Sequence, residues 1–203
     1  SKTMNTEKAE LFTPAPEWSG RSDGPGPEHA RWHSVINQST ESPAPVTLLG
    51  FASDEGVLRN GGRQGAAAGP AALRSALGSL AVHHEHALAD AGTITTQADD
   101  LDGAHDALSN KVQELVEAGT LPIILGGGHE TAFGSHRGLY RAVGATKIIN
   151  LDAHFDLRRA DHATSGTPFK QISELTDDFD YTVLGISRPN NTAVLFEIGR
   201  AHV

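Results

Sequence analysis

Beyond residue 45 the chain keeps returning to one pattern: a short apolar run, a polar or glycine-rich break at its end, and apolar residues at helical spacing nearby. The apolar runs are residues 46–51, 121–125, 147–151 and 181–186. Leu73, Leu77 and Leu80 form a stripe behind Pro70, which suits the first turn of a helix. Leu108, Val112, Leu115 and Val116 form a second stripe, with Asp100 or Asp102 to cap its start and Gly119 to end it. A third helix is expected over residues 131–143. Runs this short and this apolar are strands buried on both faces, and alternation with helices demands a mostly parallel sheet. The expected fold is therefore α/β, a three-layer α/β/α sandwich.

Residues 1–45 differ, being rich in Pro, Gly, Ser and Glu with Trp18 and Trp32 as large anchors. They read as an irregular arm, followed by the α/β domain over residues 46–196. Residues 197–203 are what one frame of a common DNA-sequencing adapter encodes, so they read as a non-native tail on a sheet incomplete at its C-terminus.

Composition narrows the chemistry. The chain has 203 residues and no Cys, which excludes disulfides and thiolate-ligated metals. With 16 Lys+Arg against 25 Asp+Glu the net charge is −9, and no basic cluster offers the cationic face that nucleic acid or an anionic membrane requires. No apolar run approaches the roughly 20 residues that span a bilayer. A cytoplasmic protein acting on a small polar molecule is the expectation.

Ligands of parallel sheets bind outside the carboxyl ends of the strands. Three such ends carry polar residues here, at 126–130, 152–156 and 187–191. Asp152, His154 and Asp156 alternate, so an extended chain would turn all three to one side. Two carboxylates and an imidazole suit Mn, Fe(II), Co or Zn better than Ca or Mg. His129, after Gly126, Gly127 and Gly128, adds a fourth donor. Without a cation such groups would repel or desolvate one another. His83, His84 and His86 lie on a polar stretch and read as surface residues. The three glycines lack the Lys-Ser/Thr of a phosphate loop, and no Ser sits in a nucleophile elbow.

The pair Gly126-Gly127-Gly128-His129 and Asp152-Ala153-His154-Phe155-Asp156, 23 residues apart, resembles the ureohydrolase family of arginases, agmatinases and formimidoylglutamases. Gly128, the run from His154 to Arg158, the run from Ser165 to Phe169, Gly185 to Arg188 and the loop 54–70 resemble its formimidoylglutamase branch. The resemblance implies an arginase-like fold and two Mn2+ ions bridged by hydroxide. His129, Asp152 and Asp156 would ligate one ion, Asp152 and His154 the other, and Asp152 and Asp156 would serve catalysis, Asp156 by carrying the proton. It implies hydrolysis of N-formimidoyl-L-glutamate to L-glutamate and formamide, a step of histidine breakdown.

For this substrate Arg158 would fork onto a carboxylate, with Ser165 and Thr167 as further contacts and Arg188 and Asn191 as second ones. Phe169 stands where arginases place a His. The family's second Asp-x-Asp motif has no counterpart after Asp156, since Asp178-Phe179-Asp180 precedes a strand. Two alternatives stay open: an agmatinase-like or guanidino-acid hydrolase, of which a cationic substrate such as agmatine would be repelled by Arg158, and a non-catalytic fragment that binds metal weakly. The partner implied is a small amidine, and the family tends toward homo-oligomers.

Overall fold

The structure, a computed structural model, describes residues 11–38 and 44–202, with side chains through residue 197. Residues 1–10 and 39–43 of the expected arm and Val203 of the expected tail lie outside the described residues. The elements are β1 (Phe12–Thr13), α1 (Trp32–Val35), β2 (Val46–Ala52), α2 (Glu55–Arg59), α3 (Gly69–Gly78), β3 (Leu88–Thr95), α4 (Leu101–Glu117), β4 (Leu121–Gly126), α5 (Thr131–Val143), β5 (Lys147–Leu151), α6 (Pro168–Ser173), β6 (Asp180–Leu184) and α7 (Ala193–His202).

One sheet has the order β1-β3-β2-β4, parallel except for β1, and a second pairs β5 with β6 in parallel. The first is closed by a core of Leu49, Phe51, Ile94, Leu101, Leu108 and Val112. Each such side chain contributes about 1.5–3 kcal/mol on leaving water. Of the stripe expected on α4, Leu108 and Val112 are buried in this core and Leu115 and Val116 pack against it, while Leu101 and Ala104 of the same helix join the core without having been expected; Asp100 caps the helix by accepting from the Gly103 N–H at 2.9 Å. Gly119, with φ of 85°, ends it as expected. Helices α4 and α5 approach closely at Gly138, where a Cβ would stand 2.5 Å from Ser109 O.

Four expectations are corrected. The stretch 54–70, read as a loop, begins instead as α2. Strand β3 was not expected, because Asp90 interrupts its apolar run. That carboxylate is buried, receives Arg74 Nε and Nη2 at 2.9 Å each, and accepts from Trp18 Nε1 at 2.8 Å. The pair explains the third correction. To bring Arg74 inward, α3 buries Pro70, Arg74 and Gly78, so that Leu73 faces outward, 42% exposed; Leu80 lies past the end of the helix and is 48% exposed. Last, β5 and β6 are not covered on both faces: Ile149, Leu151 and Leu184 are exposed on one side, while Tyr181 and Ile148 pack with Phe169 and Ile172 on the other.

Candidate metal centre

Both metal-motif segments leave the carboxyl ends of parallel strands. After β4 the chain is pinned by Gly127 N–H to Ala66 O at 3.3 Å and Gly128 N–H to Ser53 O at 3.0 Å, and Thr131 Oγ1 donates to Gly128 O. His129 is thereby held just before α5. After β5, Asp152 N–H donates to Leu184 O at 3.0 Å, which ties this strand end to β6.

The convergence does not come from an extended chain. Asp152 Oδ1 accepts from the His154 N–H at 2.9 Å, which turns the backbone immediately after the strand. Asp156 has φ of 54°, a left-handed conformation that costs a non-glycine residue on the order of 1–3 kcal/mol. The turn swings Asp156 back toward His129 and leaves His154 outward, half-exposed, its Nδ1 3.3 Å from Asp152 Oδ1. His129, Asp152 and Asp156 therefore form the cluster, their donor atoms all within 4.8 Å of one another. His129 Nδ1 is 3.0 Å from Asp152 Oδ2 and contacts Asp156 Oδ2.

Electrostatics matches that geometry. Burial would lower the pKa of His129, but the Asp156 and Asp152 carboxylates outweigh it and raise it. Burial raises Asp156 despite His129, whereas Asp152, also opposed by burial, is lowered by the His154 N–H and the charge of His129. Asp156 Oδ2 is buried without an aligned hydrogen bond. Two carboxylates and an imidazole brought this close, one carboxylate oxygen buried against the ring, fit a divalent cation that takes mixed oxygen and nitrogen donors. The Phe169 ring packs nearly perpendicular to His129 at 5.4 Å between centroids, and Phe169 stacks on Tyr181 at 4.5 Å.

The triad lies at the foot of a cleft of about 430 Å3 that also reaches Arg158, Ser165 and Asn191. These expected substrate contacts differ in availability. The Arg158 guanidinium makes no hydrogen bond or ion pair among the described residues. Asn191 is committed: Nδ2 donates to Ala153 O at 2.8 Å and Ser187 O at 2.7 Å, and Oδ1 accepts from the Phe155 N–H at 3.2 Å. Thr167 is buried, its Oγ1 bonded to Thr164 and Gln171, and Arg188 lies over the Phe196 ring at 5.9 Å; neither lines the cleft.

Two residues escaped the sequence reading. Glu130 is fully buried beside His129, and among the described residues neither carboxylate oxygen has an aligned hydrogen bond. Burial pushes its pKa up to about 7, and the backbone N–H groups of Glu130 and Gly56 offset this only in part. Its space exists because Gly56 and Gly128 lack side chains: a Cβ would fall 2.3 Å from Glu130 Cδ at the first and 2.0 Å from Oε2 at the second. Glycine next to an acid was the available signal. Asn60 lines the cleft at the end of α2, and no periodicity marks it.

Comparison with known proteins gives the family of the chain. The arginase family model matches residues 44–202, and the chain belongs to the arginase family. It is 54% identical over 188 residues to the formimidoylglutamase of Corynebacterium efficiens, covering 90% of this chain and 60% of the relative. To the formimidoylglutamase of Rhodococcus opacus it is 45% identical over 203 residues, covering 95% and 63%. Among solved structures it is similar to Trypanosoma cruzi formiminoglutamase with Mn2+, with TM-score 0.71 and 33% identity over 81% of this chain and 60% of that one. A Bacillus subtilis formimidoylglutamase shares the fold, with TM-score 0.76 at 21% identity over 98% and 64%. The architecture is thus the arginase-like α/β/α fold, and the chain spans about 60% of the length of these relatives.

Proposed function

We propose that the chain serves Mn2+-dependent hydrolysis of N-formimidoyl-L-glutamate to L-glutamate and formamide, in histidine degradation and in the cytoplasm. The observation that carries the reading is the convergence of His129, Asp152 and Asp156 at the foot of a cleft whose rim holds the unpaired Arg158. The three residues would hold one ion, with Asp152 shared toward a second ion beside His154. Two ions bound there would lower the pKa of a shared water enough to make it a nucleophile at neutral pH.

The residues of the chain do the rest. Asp156, inside the cleft and in contact with His129, is placed to accept a proton at Oδ2 and pass it to the departing amine. Arg158 holds a substrate carboxylate and orients the amidine over the triad. Incubation with Mn2+ and N-formimidoyl-L-glutamate should release formamide and glutamate in equal amounts. Release of urea from agmatine or arginine instead would overturn the reading.

A second reading is favoured by one observation: three donor groups converge and His154 stands apart. On this reading the chain binds a single ion and turns nothing over. Titration with Mn2+ giving one ion per chain, together with no formamide, would select it.

A further inference from the structure

We infer that Asn60 is a specificity-determining residue that, with Arg158, receives the carboxylate end of the substrate; the inference rests on the function proposed above. The two residues come from different parts of the chain. Asn60 ends α2, its backbone N–H donating to Gly56 O at 3.1 Å. Arg158 follows the metal segment, its backbone N–H donating to Gly166 O at 3.0 Å. The two loops are tied by Ser165 N–H to Gly56 O at 3.0 Å, so their separation is set by backbone.

Gly166 shows how close their side chains come. A Cβ there would lie 3.1 Å from Arg158 Cδ and 3.4 Å from both Nδ2 and Oδ1 of Asn60. Asn60 and Arg158 therefore flank one small patch of backbone on the rim of the cleft that has the triad at its foot. Among the described residues neither side chain makes a hydrogen bond. Three other polar side chains of the neighbourhood are committed, Arg59 to Glu55, Ala163 O and Asp99 O, Asn190 to Ser187, and Asn191 as described above, while among the described residues the Ser165 hydroxyl, also on the cleft wall, is the remaining neutral group free to assist.

A planar guanidinium beside an amide offers a carboxylate two parallel N–H groups from the arginine and a further N–H from Nδ2. The amide adds direction without adding charge. Beside Arg158 it admits a carboxylate, and in place of Asn60 an acid would repel one. Asn60 thus selects for substrates that carry a carboxylate beyond the amidine.

The test is calorimetric binding of L-glutamate to the whole chain with Mn2+ present, with butyramidine, which has no carboxylate, as the second probe. Asn60→Leu, neutral and nearly the same size, should weaken L-glutamate at least fivefold, and Asn60→Asp at least tenfold. Gly166→Ala should weaken it too by parting the two side chains. Butyramidine affinity and Mn2+ affinity should stay within twofold of wild type in all three, which also reports that they fold. L-Glutamate binding by Asn60→Leu within twofold of wild type would overturn the inference, even if Asn60→Asp were weakened, because that pattern is a long-range charge effect. In that case weakening by Arg158→Ala leaves the proposed function standing. Wild type that binds no L-glutamate, or an Arg158→Ala variant that binds it normally, removes that function and this inference with it.

Discussion

His129 Nδ1 lies 3.0 Å from Asp152 Oδ2 although the two residues close different strands, in sheets that share no strand pairing. The contact bridges the β4 and β5 ends, so a cation held there joins two parts of the molecule. A ligand that binds the native state alone stabilises it by about 2.7 kcal/mol at a hundred times its Kd. For a chain of this size that corresponds to a rise in Tm of about 5–10 °C. Scanning calorimetry should show this rise with Mn2+ and its reversal with EDTA. His129→Ala and Asp156→Ala should show none, and an equal rise in either would exclude the triad as the site.

His105 should make the fold acid-labile. It is buried on α4 between the Phe51 and Phe133 rings, and neither ring nitrogen has a hydrogen-bond partner among the described residues. Burial, with a smaller contribution from the charge of Arg137 nearby, lowers its pKa to about 4. The native state keeps the ring neutral while the unfolded chain takes up a proton near pH 6.5. Stability is therefore undiminished above that value and lost as pH falls from 6.5 toward 4, by about 2 kcal/mol at pH 5. Urea denaturation of His105→Leu against wild type at pH 7.5 and pH 5 measures it. The advantage of the variant should grow at the lower pH, and a gap independent of pH would refute the assignment.

Asp90 and Arg74 should be costly to separate. Their side chains are 0% and 7% exposed, and Arg74 also donates to Thr93 Oγ1 and Gly92 O. Asp90→Ala leaves a guanidinium in the interior without its counter-ion, at a cost of about 3–5 kcal/mol. Removing both charges with Asp90→Leu and Arg74→Leu together should cost less than Asp90→Ala alone. Equilibrium denaturation of the two variants against wild type decides, and a double variant worse than the single one would show that the pair itself is stabilising.

The same pair marks where the sequence stops being readable. Strands β2, β4, β5 and β6 are visible as apolar runs because the interior accepts apolar groups there, whereas β3 carries an acid that only its partner, 16 residues earlier, makes tolerable. Alternation is local and ion pairing is not. The metal residues were legible for a related reason, since type and strand-end position are both local. Their arrangement was not: the turn at Asp152 and the left-handed Asp156 overrode the extended geometry and moved His154 out. Thr167 and Asn191 show the remaining difficulty. A polar residue near a strand end looks alike in sequence whether it awaits a ligand or braces a loop, and only the hydrogen bonds of its neighbours tell the two apart.

The uncovered face of β5 and β6 should drive self-association of this chain. Ile149 is 70% exposed, Leu151 78% and Leu184 52%, and register places Leu151 beside Leu184. On β4, Leu121 and Ile123 are also exposed, at 62% and 42%. Contiguous apolar surface of this kind seeks cover, and sheet edges with free backbone groups provide a second means of pairing. Light scattering across a concentration series should show growing species, accompanied by binding of a hydrophobic dye. Ile149→Lys with Leu151→Glu places opposite charges on the face while both positions remain at the surface, so folding has little to lose. That variant should stay monomeric to at least tenfold higher concentration. Unchanged association would move the sticky surface elsewhere, with outward Leu73 on α3 and Leu80 just past its end as the next residues to charge.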